Sequence, residues 1–296
     1  MPGTGAFERA YIVCSTQRSG GTLLCELLES TGVAGRPKEF FEAVALTGVP
    51  PHPGDYLAGL PRTGAGIRDD GTPPEAPPYS DLRGLASYRD HLARSFATGT
   101  TPNGVFATKL MFRQLIEVEK LARSLDEHRE LDGADLLNAM LRGTAAGHEV
   151  PVYVWHRRYD KVRQAISLWR ALQTRAWRAE REAGGESPEQ AQRARPAPGE
   201  LRYSFEGIDH LVYALSADDR GWNRFFQSNR ISPLVVSYED DLERDQLATV
   251  TRVLAAIGVT VPPDWHPRDS MARQADSLND EWAAAYLARA DPPRDD

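Results

Sequence analysis

Cysteine is nearly absent. The 296-residue chain has two, Cys14 in an apolar run and Cys25 in a helix-like segment. Two thiols cannot make a disulfide framework, and both are expected to be buried and reduced. Long apolar runs are absent as well: no stretch approaches the ~18 residues that read as a bilayer span. Residues 1–9 lack the basic start and apolar stretch of a secretory signal. A soluble, cytoplasmic protein without a membrane anchor is the expectation. Positive charge is in deficit, with 35 Lys and Arg against 42 Asp and Glu and a net charge of -7. That excludes a global basic field for nucleic acid, so an anionic ligand would need local Arg and Lys. His52, His91, His128, His148, His156, His210 and His266 form no metal-ligand spacing, so no metal is expected.

What is present is alternation of strands and helices. Residues 10–14 are β-branched and aromatic and read as a buried strand. A polar Gly turn, 15–21, follows, and then 22–29 reads as a helix with Leu23, Leu24, Leu27 and Leu28 on one face. Further strands are predicted at 104–109, 150–155 and 234–237. Helices are predicted at 85–96, 113–124, 134–144, about 161–181, 203–229, 242–257 and 280–289. This order implies βαβ units and an α/β fold with a mostly parallel sheet flanked by helices, in a single domain over 1–296. Residues 49–80, rich in Pro and Gly, read as an irregular excursion, and 184–199 as a mobile loop.

Ligands of such sheets bind beyond the carboxyl ends of the strands. The turn Gln17-Arg18-Ser19-Gly20-Gly21-Thr22 lies there. Its glycines let backbone N–H groups turn inward, the next helix offers its positive end, and Arg18, Ser19 and Thr22 add donors. A plain tight turn with a Ser/Thr cap would read the same way. A Walker A loop would carry Lys before Thr22, and Gly21 stands there instead. The second cationic place is Arg157-Arg158, after the strand ending at Trp155, with Ser167 on the following helix. Two separated anion sites match 3'-phosphoadenosine 5'-phosphosulfate (PAPS), which carries a phosphosulfate and a 3'-phosphate. The alternative for two strand-end arginines is a surface ion pair.

At these residues the sequence resembles the bacterial trehalose 2-sulfotransferase family. The strings are Ser15-Thr-Gln-Arg-Ser-Gly-Gly-Thr-Leu-Leu24, Thr31-Gly-Val-Ala-Gly-Arg-Pro-Lys-Glu-Phe-Phe41, Thr101-Pro-Asn-Gly-Val-Phe-Ala-Thr-Lys-Leu-Met111, Asp160-Lys-Val-Arg-Gln-Ala-Ile-Ser-Leu-Trp-Arg170, Gln173-Thr-Arg-Ala-Trp177 and Arg273-Gln-Ala-Asp276. The resemblance implies a P-loop-like sulfotransferase fold and transfer of a sulfuryl group from PAPS to a hydroxyl of a trehalose-like sugar, glycolipid or glycosylated metabolite. It implies a homodimer. Gln17 to Thr22 would hold the phosphosulfate, Arg158 (or its rival Arg157) and Ser167 the 3'-phosphate, and Arg273 would close over the donor. Glu39 matches the family's general base, and Lys109 at a strand end would add charge nearby. Phe41, Arg170, Gln173 and Trp177 are candidates for the acceptor pocket, although core packing accounts for the aromatic pair equally well.

One departure stands out: the family loop commonly reads Ser-Gly-Ser-Thr, and here Gly21 takes the place of the second serine. Without the resemblance, Glu39 reads as a solvated carboxylate beside Arg36 and Lys38. Two rival functions stay open on the sequence, a P-loop kinase-like transferase using nucleotide with magnesium, and a catalytically silent nucleotide-binding protein.

Overall fold

The computed structural model describes residues 7–41, 88–123, 125–142, 150–174, 201–267 and 277–290. The excursion 49–80, the loop 184–199, Trp177, Arg273 and the predicted helix beyond 174 lie outside the described residues. The chain folds as two compact units. One holds the described residues through Tyr159 and those from Ala217 to 267; the other holds 160–174, 201–216 and 277–290.

The first unit is built on four strands: β1 (Arg9–Ser15), β2 (Val105–Met111), β3 (Val152–Arg157) and β4 (Leu234–Ser237). All pair in parallel, in the order β2-β1-β3-β4. A parallel strand covered on both faces must be apolar on both faces. That is why every residue of β2 is buried, and why β1 is buried from Tyr11 onward. The chain leaves β1 for one neighbour and returns to the other side for β3. The gap between β1 and β3 is therefore a topological switch point, where a crevice opens beyond the carboxyl ends.

The strand pleat sends alternate side chains to two cores. Ile12 and Cys14 join the aromatic cluster of Phe7, Phe40, Phe41, Phe96, Phe106, Trp222 and their neighbours. Tyr11 and Val13 join Leu24, Leu27 and Leu28 of α1 (Gly21–Ser30). Each such side chain, fully buried, contributes about 1.5–3 kcal/mol. Around the sheet the unit also carries α2 (Tyr88–Gly99), α3 (Phe112–Arg123) and α4 (Gly133–Arg142). Both thiols are buried, as expected. Burial pushes Cys25 up to about 12 and raises Cys14 as well, so neither is a nucleophile.

Several predicted boundaries shift, two of them for a clear local reason. The strand predicted at 150–155 runs on to Arg157, because His156 and Arg157 pair with Val236 and Ser237 of β4. The helix predicted over 242–257 begins only at Gln246. A π-helical turn, Tyr238–Leu242, is capped by the Ser237 hydroxyl accepting from Asp240 N–H, and α7 (Gln246–Ala256) restarts where Asp245 accepts from Ala248 N–H. The two N-caps, Ser237 and Asp245, keep the π-helical turn and α7 as separate elements.

The second unit comprises α5 (Lys161–Thr174), the first half of α6 (Phe205–Ser228) and α8 (Ser277–Ala290). Its core is Trp169, Ile166, Leu172, Ile208, Leu211, Leu215, Trp282 and Tyr286. Trp169 fits only because residue 207 is glycine; a Cβ there would lie 2.5 Å from the indole. Among the described residues no helix is long and apolar enough to cross a membrane.

Candidate active site

The loop after β1 takes its shape from small residues and internal hydrogen bonds. Arg18 and Gly20 are in the left-handed region, at φ 58° and 92°. The Ser19 hydroxyl donates to Thr16 O at 2.9 Å and stands 3.0 Å from Ser15 Oγ. Ser19 is fully buried, so its hydroxyl shapes the loop rather than facing outward. Gly20 is the N-cap of α1 and makes no side-chain cap bond. The opening N–H groups of an α-helix have no acceptors inside the helix, and here they sit at the crevice end of β1 beside the exposed Thr22.

The loop is braced from two neighbouring strands. A Cβ on Gly20 would meet the Tyr238 ring at 2.4 Å, and one on Gly21 would meet Ser15 Oγ at 2.7 Å. The Gly21 departure thus makes room for Ser15. His156 of β3, fully buried, donates from Nε2 to Ser19 O at 2.9 Å. Burial lowers its pKa to about 4, so the ring is neutral at pH 7. Trp222 donates from its indole N–H to Ser15 O at 2.8 Å and fixes the end of β1.

Glu39 arrives from a strip that joins the edge of β2. Lys109 N–H and the Thr108 hydroxyl both donate to Lys38 O, at 2.9 and 3.0 Å. The strip is anchored beyond Glu39 by Phe40 and Phe41, which pack on Phe106. Buried His91, its pKa lowered by burial, donates from Nε2 to Phe40 O. Phe41 has no exposed surface. Its ring packs in the aromatic core and anchors the strip.

These constraints bring the Glu39 carboxylate to Lys109, with Nζ 2.6 Å from Oε1. Lys109 Nζ also lies 3.5 Å from the Thr22 hydroxyl at the start of α1. Gln114 donates to Oε2 of Glu39 at 3.1 Å. One buried cation therefore spans the carboxylate and the helix start. Residues 36–41 and 104–111 are separate strings in the sequence, and β2 joins them.

At the end of β3 the two arginines have different partners. Arg157 lies 4.2 Å over the Trp155 ring and 3.7 Å from Asp219. Arg158 lies 4.7 Å over the Tyr238 ring, 3.9 Å from Glu239, and reaches Arg18 O at 3.4 Å. Arg158 is thus the one in contact with the Gly loop.

Residues 10–290 match the Stf0 sulphotransferase family. This chain belongs to that family. As an Stf0 sulfotransferase it is an enzyme that transfers a sulfuryl group from a sulfonate donor, and the kinase-like alternative falls away. It is 37% identical over 291 residues to the trehalose 2-sulfotransferase of Mycobacterium tuberculosis, covering 97% of this chain and 96% of that protein. The trehalose 2-sulfotransferase of Mycolicibacterium smegmatis is 35% identical over 286 residues, with coverage of 97% and 96%. A crystal structure of a sulfotransferase from Alicyclobacillus acidocaldarius aligns over 95% of both chains at 16% identity and a TM-score of 0.41.

The remaining sites predicted for this sulfotransferase fall in the second unit or outside the described residues. Ser167 is half-buried on α5. Arg170 donates to Asn279 at 2.8 Å. Gln173 holds the backbone of Arg202, accepting from its N–H at 2.8 Å and donating to its carbonyl at 3.1 Å. That amide ties α5 to the backbone at Arg202. Sequence reading missed Gln114, Tyr238 and His91. Only Gln114 had a local signal, as a Gln at the third position of a helix.

Proposed function

We propose that this sulfotransferase uses PAPS as donor and a sugar hydroxyl as acceptor, trehalose being the first candidate, with Glu39 as general base. The observation that carries the reading is Lys109, 2.6 Å from the Glu39 carboxylate and 3.5 Å from the Thr22 hydroxyl. Base and anion-binding helix start are then within one side chain of each other. The fit to PAPS is supported by the α1 N-terminus, which has no side-chain cap and whose positive end suits a phosphosulfate. Arg158, touching the backbone of Arg18, is the candidate for the 3'-phosphate. Arg157 is drawn instead toward Asp219 and Trp155.

PAPS supplies the activated S–O bond. Glu39 accepts the proton of the acceptor hydroxyl as that oxygen bonds to sulfur and the bond from sulfur to adenosine 3',5'-bisphosphate breaks. A sugar hydroxyl is a poor nucleophile at pH 7, so a positioned base contributes about 10²–10⁴-fold. Arg18, Thr22, Lys109 and the N–H groups of the helix start stabilise charge growing on the leaving phosphate. Gln17 flanks this group in the loop.

Two measurements test the reading. Calorimetry in EDTA with adenosine 3',5'-bisphosphate is expected to show binding, and Arg158→Ala is expected to weaken it about 10–100-fold, the worth of a charge-assisted bond. AMP, lacking the 3'-phosphate, should bind both proteins alike. Equal losses for both nucleotides would remove Arg158 from the 3'-phosphate. Radiolabelled PAPS offered with a panel of sugars and non-sugar alcohols, with products identified by mass spectrometry, tests the acceptor. Sulfation confined to non-sugar hydroxyls would overturn a sugar acceptor.

A further inference from the structure

Gln114 is part of neither the loop nor any string singled out by sequence, yet it is buried and touches Glu39. It stands at the third position of α3, directly after β2. Its Oε1 accepts from Met111 N–H at 2.9 Å, which is the Gln half of a capping box. Its Nε2 donates to Glu39 Oε2 at 3.1 Å. Only one orientation of the carboxamide meets both partners, since the N–H needs an oxygen and the carboxylate needs a donor. A helix cap thereby fixes which atom faces Glu39.

The carboxylate then has a donor on each oxygen: Lys109 on Oε1 and Gln114 on Oε2. With one partner alone, the group could rotate about its last torsion, which is broad for a glutamate. Two partners on different oxygens set its plane. A base must be held within about 0.5 Å of its working geometry to be effective.

We propose that Gln114 is a positioning residue for sulfuryl transfer, tying the start of α3 to the plane and ionisation of Glu39. The inference rests on Glu39 being the general base. A glutamate at 114 would satisfy Met111 N–H equally well, because a carboxylate oxygen accepts as an amide oxygen does. It would set a negative charge against Glu39 in place of a donor. Choosing Gln over Glu is thus a requirement of the site and not of the helix.

The experiment measures kcat and KM against pH for the full chain with PAPS and trehalose. The unaltered protein is compared with Gln114→Glu, Gln114→Met and Glu39→Gln. For Gln114→Glu, the acidic limb of the kcat/KM profile is expected to move up by about one pH unit, because a neighbouring like charge disfavours ionisation. The value of kcat at pH 7 should fall about tenfold, with KM for PAPS changed less than about twofold. Gln114→Met, of similar volume, should lower kcat without that displacement, and it carries the test if the glutamate variant does not fold. If Glu39→Gln is inactive while both Gln114 variants keep the unaltered kcat and pH profile, Gln114 has no positioning role. If Glu39→Gln turns over normally, the assignment of the base itself fails.

Discussion

Loop 16–20 and strip 38–41 both carry a backbone carbonyl gripped by a buried histidine, His156 at Ser19 O and His91 at Phe40 O. The loop belongs to its strand: it follows β1 directly, is shaped by Gly20 and by hydroxyl bonds spanning at most four residues, and opens α1. The strip belongs to a distant element. Its hold is Lys38 O, bonded by Thr108 and Lys109 some 70 residues away. The loop's own bonds are local, and His156 of β3 and Tyr238 after β4 then close on it. The strip that bears Glu39 must wait for β2 and α2 to be in place.

The sharpest way to separate the two is Glu39→Gln, which removes the chemistry of the strip and leaves the loop intact. Turnover is expected to fall about 10²–10⁴-fold, while affinity for adenosine 3',5'-bisphosphate stays within about threefold of the unaltered protein. A comparable loss of nucleotide affinity would mean that loop and strip are one binding unit.

The histidine grips can be broken together by acid. His156 has its folded pKa lowered to about 4 by burial, against an ordinary value of 6.5. The unfolded chain therefore binds more protons as pH falls, and stability present above pH 6.5 is lost progressively down to about pH 4. For His156 the loss is on the order of 3 kcal/mol, and His91, lowered in the same direction by burial, adds to it. Urea unfolding at pH 7 and pH 4.5 measures this, with His156→Gln as the comparison. The variant is expected to lose less stability on acidification, and an identical loss would acquit the histidine.

The mildest test concerns the loop alone. Gly21→Ser places a Cβ 2.7 Å from Ser15 Oγ. Thermal unfolding is expected to show about 1 kcal/mol of destabilisation. Adding Ser15→Ala should recover most of it by removing the opposing oxygen. No recovery would mean that the strain lies in the backbone and not between these two side chains.

In the second unit, polar side chains singled out from a string have partners within the unit. Arg170 and Gln173 look like polar neighbours of a sugar, yet Gln173 holds Arg202 and Arg170 holds Asn279. An amide that ties down a backbone and an amide that waits for a hydroxyl have the same one-letter code. Phe41 is a parallel case in the first unit: it follows Phe40 and Glu39 in the chain, and its ring packs in the core.

From the sequence by itself came the parallel α/β plan, the Gly loop after the first strand, the two buried thiols and the pair of arginines ending the third strand. All of these rest on contiguous patterns, such as β-branched runs, helical periods and glycine at a turn, whose physics acts over a few residues. Tertiary structure alone decided that Lys109 meets Glu39, that Gln114 holds the other oxygen, that Arg158 rather than Arg157 touches the loop, and that Phe41 is core. Each of those joins segments distant in the chain, whose spatial neighbours are set by crossovers of tens of residues, so no local pattern in the chain records it.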